Sequence, residues 1–267
     1  MQVPHFSLLG AGPTVLMLHG IGGGHLAFAP QLETFALAGY RAVAWDAPGY
    51  GSSAPIEPYT FKGLAMSCIA LIEALMLSSG QKISLIGHSM GGMVAQEVVA
   101  RRPDLVGRLV LSGTSPSFGK PDEQGDGKWQ RDFITARTQP LDEGKSMLQL
   151  ACALVPAMVG TGHLPEGVRL ATHCMAQVSS ATYRRALEAL VTFDRQSKLA
   201  NISCPTLLIA GEQDRNAPPR MMRRMVDWIP NSTYAELKGI GHLANLEAPD
   251  EFDALVLNFF ALPRMLH

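Results

Sequence analysis

One segment of the sequence combines the patterns of a strand, a tight turn and a helix: Ile83-Ser84-Leu85-Ile86-Gly87-His88-Ser89-Met90-Gly91-Gly92-Met93. An apolar run leads directly into Gly-x-Ser-x-Gly, and a helical pattern continues from there to Arg101. In this context the serine lies on a strained strand-to-helix turn, because a β-carbon at Gly87 or Gly91 would collide with neighbouring backbone. We therefore predict that Ser89 is a nucleophile, with the free N–H groups of the new helix directed at the same point.

The segments on either side alternate between apolar strands and amphipathic helices. Strands are predicted at 3–9, 14–18, 41–45, 83–86, 109–111, 206–210 and 232–237. Helices are predicted at about 28–37, 60–77, 90–101, 218–228 and 249–260. Continuous apolar strands that alternate with helices predict an α/β fold, in which a mostly parallel sheet is flanked by helices on both faces.

This alternation stops after residue 114. Residues 115–135 are polar and turn-rich, and the pattern is then helical without a convincing strand. We predict that residues 115–195 form a helical cap, inserted into a core made of residues 1–114 and 196–267. Because methionine adapts to irregular apolar space, we expect a pocket beneath the cap that prefers short to medium apolar groups. The cap residues expected to line this pocket are Trp129, Met147, Met158 and Met175.

A serine nucleophile depends on two further side chains. It needs a base to take its proton, and the base needs an acid that orients it. Both should follow later strands, in the order acid and then histidine. Asp214 lies in the turn after the strand at 206–210 and is the predicted acid, with Glu212 as the alternative. His242 follows the last predicted strand and is the predicted base.

The negative charge that forms on the substrate oxygen calls for two backbone N–H donors. Met90, the residue after the nucleophile, should supply one. The loop after the first buried strand should supply the other, and we choose Ile21. Gly22 lets this loop approach the substrate closely, so we predict it as a substrate-binding residue together with His88. His19 and His88 each precede a turn that we expect them to orient by hydrogen bonds.

Taken together, these motifs resemble those of the α/β-hydrolase family over essentially the whole chain. The matching elements are His19-Gly20, Asp46-Ala47-Pro48-Gly49-Tyr50-Gly51-Ser52-Ser53, Gly87-His88-Ser89-Met90-Gly91-Gly92, Gly211-Glu212-Gln213-Asp214 and Gly241-His242. Residues 211–214 and 241–249 are most similar to 3-oxoadipate enol-lactonases and small carboxylesterases. The resemblance implies an α/β-hydrolase fold with an inserted cap and a Ser-His-Asp triad.

The identity of the residue at position 89 limits the classes of reaction that this chain could catalyse. Serine is acylated, whereas a dehalogenase or epoxide hydrolase of this fold would carry Asp there. We therefore predict hydrolysis of a small carboxylic ester or lactone through an acyl-enzyme. C–C bond hydrolases of vinylogous diketones also use serine, but they typically show Asn and Trp where this chain has His88 and Leu246. A cofactor-free perhydrolase with the same triad and a non-catalytic ligand receptor stay open as alternatives.

An enol-lactonase would also have to hold a substrate carboxylate. Arginines of the predicted cap could do so, and the candidates are Arg131, Arg137, Arg169 and Arg195. No cofactor and no metal are predicted, because H-x-x-x-H, a carboxylate cluster and the lysine of a phosphate loop are all missing from the sequence.

Composition narrows the possible partners. The chain has 267 residues, 47% of them hydrophobic and 17% charged, with a formal charge of −1 and no basic run. We therefore expect a small-molecule substrate, with neither nucleic acid nor a membrane as partner. No signal peptide or membrane-spanning run is recognised, which predicts a soluble cytoplasmic protein. The sequence gives no indication of the oligomeric state.

Overall fold

The computed structural model describes residues 2–77, 80–119 and 127–262, and residues 120–126 of the predicted cap lie outside this part. The described residues contain a seven-stranded sheet. Its strands are β1 Phe6–Leu9, β2 Thr14–Leu18, β3 Arg41–Trp45, β4 Ile83–His88, β5 Val106–Ser112, β6 Thr206–Gly211 and β7 Ser232–Leu237. The spatial order is β1-β3-β2-β4-β5-β6-β7. All neighbouring strands run parallel except β1, which pairs antiparallel with β3.

Helices cover both faces of the sheet. In the described part they are α1 Ala29–Leu37, α2 Phe61–Met76, α3 Met90–Arg101, α4 Lys128–Asp142, α5 Met147–Met158, α6 Pro165–Ala176, α7 Ser180–Leu190, α8 Pro219–Met225, α9 Ala244–Glu247 and α10 Pro249–Ala261. Short 3-10 helices span His25–Phe28 and Gln196–Asn201. None of the described helices is long and apolar enough to cross a membrane.

The inner strand β2 is apolar from Val15 to Leu18, and its burial explains why. Every residue from Thr14 to Leu18 is buried. Leu16 and Leu18 belong to one hydrophobic cluster, whereas Val15 and Met17 belong to a second one on the opposite face. Because successive side chains of a strand point to opposite faces, apolar packing on both faces requires consecutive apolar residues. The predicted sheet, mostly parallel and flanked by helices, is confirmed.

The helices α4–α7 lie between β5 and β6. The first of them begins at Lys128, within the region that the sequence indicated to be turn-rich. Trp129 and Phe133 stack on each other one turn apart, with ring centroids separated by 5.3 Å. We attribute the early start of the helix to this pair, because packing outweighs the low helix propensity of a polar segment.

The chain leaves and rejoins the core at neighbouring points. Ser117 and Asp194 form an antiparallel bridge, and the N–H of Phe118 donates to the carbonyl oxygen of Phe193 at 2.9 Å. Just beyond the bridge, the side chain of Arg195 pairs with the buried carboxylate of Glu97 on α3. The two ends of the inserted segment are therefore held together and attached to the helix that begins after Ser89.

Candidate active site

The turn at Ser89 has the strained geometry predicted for it. Its φ of 52° is unusual for a residue other than glycine. A β-carbon at Gly87 would lie 2.5 Å from the carbonyl oxygen of Gly91, and one at Gly91 would lie 2.1 Å from a carbonyl oxygen of β2. Hydrogen bonds hold the strained residue on both sides, since its N–H donates to Ser112 at 2.9 Å and its carbonyl accepts from Thr114 at 2.8 Å.

The structure brings Ser89, His242 and Asp214 into one hydrogen-bonded chain. His242 Nε2 lies 2.9 Å from Ser89 Oγ, and His242 Nδ1 lies 2.8 Å from Asp214 Oδ2. His242 and Asp214 are buried, whereas Ser89 is partly exposed. In this arrangement the imidazole can accept the serine proton at Nε2 while Nδ1 donates to the carboxylate.

The second oxygen of Asp214 is occupied by the backbone. Oδ1 accepts the N–H groups of Asn216 at 2.7 Å and Ala217 at 2.9 Å. Burial raises the pKa of Asp214, but attraction to His242 and the hydrogen bonds from His242, Ala217 and Asn216 outweigh that effect, so the pKa is lowered. The carboxylate is therefore negatively charged at neutral pH and fixed in orientation.

Two other acids lie near these loops. Glu212, the alternative acid, is exposed and accepts the N–H of Gly239 at 2.9 Å instead of contacting His242. Glu247 is buried, and the sequence analysis did not single it out. Its carboxylate accepts the N–H groups of Gly160, Gly241 and Leu243 at 2.7–2.8 Å. Glu247 thus fastens the loop around His242 to the segment that follows α5.

The loop after β2 lies against the serine. A β-carbon at Gly20 would be 3.0 Å from Ser89 Cβ. The hydroxyl of Tyr50 donates to the carbonyl oxygen of Ile21 at 2.9 Å and so orients that segment. Across the described part of the chain, the N–H groups of Ile21 and Met90 have no acceptor. Two unused donors beside Ser89 match the requirement for binding a developing oxyanion.

Two buried histidines flank the site. His19 Nδ1 lies 2.7 Å from the carbonyl oxygen of Gly20, and its Nε2 accepts the N–H of Ala47 at 3.0 Å. Burial lowers the pKa of His19 to about 4. Burial, and next the charge of nearby His242, lower the pKa of His88 to about 3. Both rings are therefore neutral at pH 7, and His88 adds no positive charge beside His242.

A cavity of about 680 Å³ opens beside Ser89 and His242. The predicted substrate-binding residues that line it are Gly22, His88, Trp129, Met158 and Met175. Met175 packs onto the loop, since a β-carbon at Gly22 would lie 3.4 Å from its sulfur. Met147 does not line this cavity, which corrects its predicted role. It occupies the first turn of α5, where its side chain is buried in the hydrophobic core.

A separate group of polar side chains supports the loop after β2. The Nδ1 atoms of His5 and His25 lie 2.8 Å and 3.0 Å from the two carboxylate oxygens of Asp46. The three groups are close enough to be compared with a metal site. Their contacts are explained without one, because each imidazole N–H donates to the buried carboxylate. The group joins the N-terminal segment, the loop after β2 and the end of β3.

Comparison with known proteins places this chain in a family. Residues 13–249 match the sequence profile of the family described as "alpha/beta hydrolase fold". The 2-hydroxy-6-oxononadienedioate/2-hydroxy-6-oxononatrienedioate hydrolase 2 of Pseudomonas putida is 30% identical over 266 residues, which cover 96% of this chain and 90% of that protein.

Solved structures share the fold. The crystal structure of the enol-lactonase from Burkholderia xenovorans LB400 superposes with a TM-score of 0.82 at 25% identity, covering 97% of this chain and 96% of that one. A bromoperoxidase from Bacillus anthracis superposes with a TM-score of 0.82 at 24% identity, covering 96% and 94%. The profile match spans most of the sequence and the same fold recurs in solved structures, so the predicted fold and family are confirmed: this chain belongs to the α/β-hydrolase family.

Proposed function

We propose that the protein hydrolyses a small-molecule carboxylic ester or lactone through an acyl-enzyme on Ser89. The observation that carries this proposal is the hydrogen-bonded chain from Ser89 Oγ through His242 to Asp214, at 2.9 Å and 2.8 Å. An unassisted serine hydroxyl is a weak nucleophile at neutral pH, and a base oriented by a buried carboxylate activates it.

In the proposed reaction, Ser89 Oγ attacks the carbonyl carbon while His242 Nε2 takes the serine proton. The N–H groups of Ile21 and Met90 donate to the oxyanion, and Asp214 stabilises the imidazolium. His242 then gives its proton to the leaving alcohol, and the acyl group stays on Ser89. A water molecule, deprotonated by the same imidazole, attacks the acyl-enzyme, and the imidazolium returns that proton to Ser89 Oγ as the acid is released.

We assign substrate selection to residues 115–195 as a cap over a core of residues 1–114 and 196–267. Three residues of this segment, Trp129, Met158 and Met175, line the cavity together with Ser89 and His242. Their apolar side chains favour the acyl or alkyl portion of a substrate, while the polar groups of the core act on its carbonyl. Exchange of these three residues should change substrate preference more than it changes the chemistry.

Two named relatives bear on the reaction. The Burkholderia structure is that of an enol-lactonase, which supports a lactone as substrate. The Pseudomonas relative is named as a hydrolase of 2-hydroxy-6-oxononadienedioate, so C–C bond hydrolysis is the second candidate. Both reactions can start from the same serine. A panel of ethyl esters, lactones and a vinylogous diketone separates the two candidates, because a C–C hydrolase turns over the diketone in preference to the esters.

The test of the mechanism is Ser89→Ala. We expect hydrolysis to fall by a factor on the order of 10⁴ or more, as when other serine hydrolases lose their nucleophile. A fluorophosphonate should label the wild type at Ser89 and leave the variant unlabelled. Ser115→Ala is the matched control, since Ser115 also lines the cavity but its hydroxyl donates to the carbonyl of Ser117. Labelling of Ser89→Ala at the wild-type rate, or retention of more than a few per cent of activity, would contradict the proposal.

A further inference from the structure

The charged side chains around the cavity all have the same sign. Among the described residues that line it, the arginines are Arg137, Arg215, Arg220 and Arg224, and none of the lining residues is Asp or Glu. The whole chain has a formal charge of −1, so this excess of positive charge is local. A cavity with cationic walls attracts anions and repels cations.

Arg137 is the most buried of the four arginines that line the cavity. It lies one turn after Phe133 on α4, with its guanidinium carbon 3.5 Å from the ring centroid of Phe133. It is partly buried, and burial lowers its pKa. No ion pair or hydrogen bond of its guanidinium is found in the described part of the chain. Because arginine stays protonated and a desolvated charge without a partner is costly, an anion bound there would be favoured.

The other arginines considered from the sequence are used elsewhere. Arg169 is exposed and pairs with Glu166 at 2.7 Å, while Arg195 pairs with Glu97. Arg131 is exposed and does not line the cavity. Of the four candidates in the predicted cap, Arg137 alone lines the cavity. Which of the four arginines lines the cavity depends on tertiary contacts, so it could not be predicted from the sequence.

The remaining lining arginines extend the positive surface outward. Arg215, Arg220 and Arg224 are exposed and lie on or just before α8, next to the turn that carries Asp214. None of the three is in an ion pair with an acid of the described chain. Exposed charges of one sign at the mouth of a cavity raise the rate at which an oppositely charged ligand arrives.

We propose that the substrate of this site is an ester or lactone that carries a carboxylate, which Arg137 binds. The inference rests on the proposed hydrolase function and narrows it to anionic substrates. The guanidinium can donate two parallel hydrogen bonds to a carboxylate, while its face packs on Phe133 and the neighbouring Trp129 covers the adjacent alkyl chain. The exposed arginines draw the anion toward the cavity.

A pair of substrates matched in length tests this proposal. Monoethyl adipate and ethyl hexanoate have the same chain, but the first ends in a carboxylate and the second in a methyl group. We expect kcat/KM of the wild type to favour monoethyl adipate by about tenfold or more. Arg137→Met keeps the aliphatic stem over Phe133 and removes the charge. It should lower the ratio of the two kcat/KM values by on the order of 10- to 100-fold, as expected for a hydrogen bond to a charged group.

The controls separate charge from structure. Arg169→Met removes an exposed arginine of the same segment and should leave the ratio unchanged. Arg137→Lys keeps the charge without the two-pronged geometry, so the ratio should fall less than in Arg137→Met. Thermal unfolding of each variant reports whether it is folded, and Arg137→Lys carries the test if Arg137→Met does not fold. An unchanged ratio in a folded Arg137→Met, or no preference in the wild type, would overturn the proposal.

A binding measurement distinguishes this proposal from the proposed function. In the Ser89→Ala background, calorimetry should detect monoethyl adipate and show at least tenfold weaker binding when Arg137→Met is added. Turnover of both esters that depends on Ser89, without any effect of Arg137, would leave the hydrolase proposal standing and refute the anion site. If neither ester is turned over but Arg137-dependent binding is seen, the reaction assignment fails while the anion site is retained. Equal binding of monoethyl adipate by Ser89→Ala and by the double variant with Arg137→Met refutes the anion site.

Discussion

Replacing Asp214 by Asn tests the geometry around His242. The substitution changes one carboxylate oxygen into an NH2 group with almost no change in shape. Oδ1 of Asp214 already accepts two backbone N–H groups, from Asn216 at 2.7 Å and Ala217 at 2.9 Å. The oxygen of the new amide has to keep this place, and its NH2 group must then face His242 Nδ1. The NH2 group and the Nδ1–H of His242 are both donors, so they cannot form a hydrogen bond with each other.

The consequence is a change of tautomer. His242 Nδ1 has to become the acceptor, so that the imidazole proton moves to Nε2 and points at Ser89 Oγ. In this form Nε2 cannot take the serine proton. The active tautomer returns only if the amide rotates, which leaves two buried N–H groups facing a donor and costs about 1–3 kcal/mol for each group. A total of about 2–6 kcal/mol corresponds to a loss of about 30-fold to 10⁴-fold in kcat. The upper end agrees with the loss of about 10⁴ known for this substitution in a serine protease.

The assay is the rate at which a fluorophosphonate labels Ser89, because that rate needs no knowledge of the substrate. We expect Asp214→Asn to slow labelling within the range just derived and to slow ester hydrolysis in parallel. Glu212→Gln is the matched control: it lies in the same turn, it is exposed, and the amide oxygen can keep the hydrogen bond from Gly239. It should stay within about threefold of the wild type, the effect of less than ~1 kcal/mol. Fast labelling of Asp214→Asn beside an inactive Glu212→Gln would refute the assignment.

Two further predictions concern stability. Burial raises the pKa of Asp253 to about 6, so the folded state favours the neutral form of this carboxyl group. The stability that this preference contributes is fully present below about pH 4 and is lost as the pH rises from about 4 to 6. Asp253→Asn should therefore raise the free energy of unfolding in urea by about 3 kcal/mol at pH 7 and hardly at all at pH 4, whereas an equal effect at both pH values would contradict the shift. Glu247→Gln puts an NH2 group against one of three backbone N–H groups, so unfolding in urea should require about 1–3 kcal/mol less, and an unchanged midpoint would disprove this role.

The sheet could be predicted because its strands are continuous apolar runs. Strands buried on both faces carry runs of apolar residues, and the predicted range 41–45 coincides with β3. The turn at Ser89 could also be predicted, since the two glycines that its backbone requires stand on either side of it. Its hydrogen bond to His242 spans 153 positions, and the order of the motifs along the chain indicated which histidine to choose.

Contacts that depend on packing could not be predicted. Met147 and Met175 look alike in the sequence, but Met147 is buried in the core and Met175 lines the cavity. The buried carboxylate of Glu247 accepts N–H groups from positions as far away as Gly160. The start of α4 was missed because its aromatic residues Trp129 and Phe133 also pack against Phe118, which lies outside the helix, with ring centroids 6.0 Å and 5.0 Å apart. In each of these cases the deciding neighbour is distant in sequence, and residue type and local spacing carry no information about it.

The bridge between Ser117 and Asp194 gives the chain a modular plan. Because the two ends of the inserted segment already meet, a change in its length costs little, since the entropy of closing a longer loop grows only slowly. The pairing of Arg195 with Glu97 fastens this junction to α3, the helix after Ser89. Natural variation or an engineer could therefore alter this segment, provided that its contacts with the loop around His242 are kept, namely Gly160 N–H to Glu247 and His242 N–H to the carbonyl oxygen of Met158. Such a change would alter the lining of the cavity while the loop around His242 stays in place.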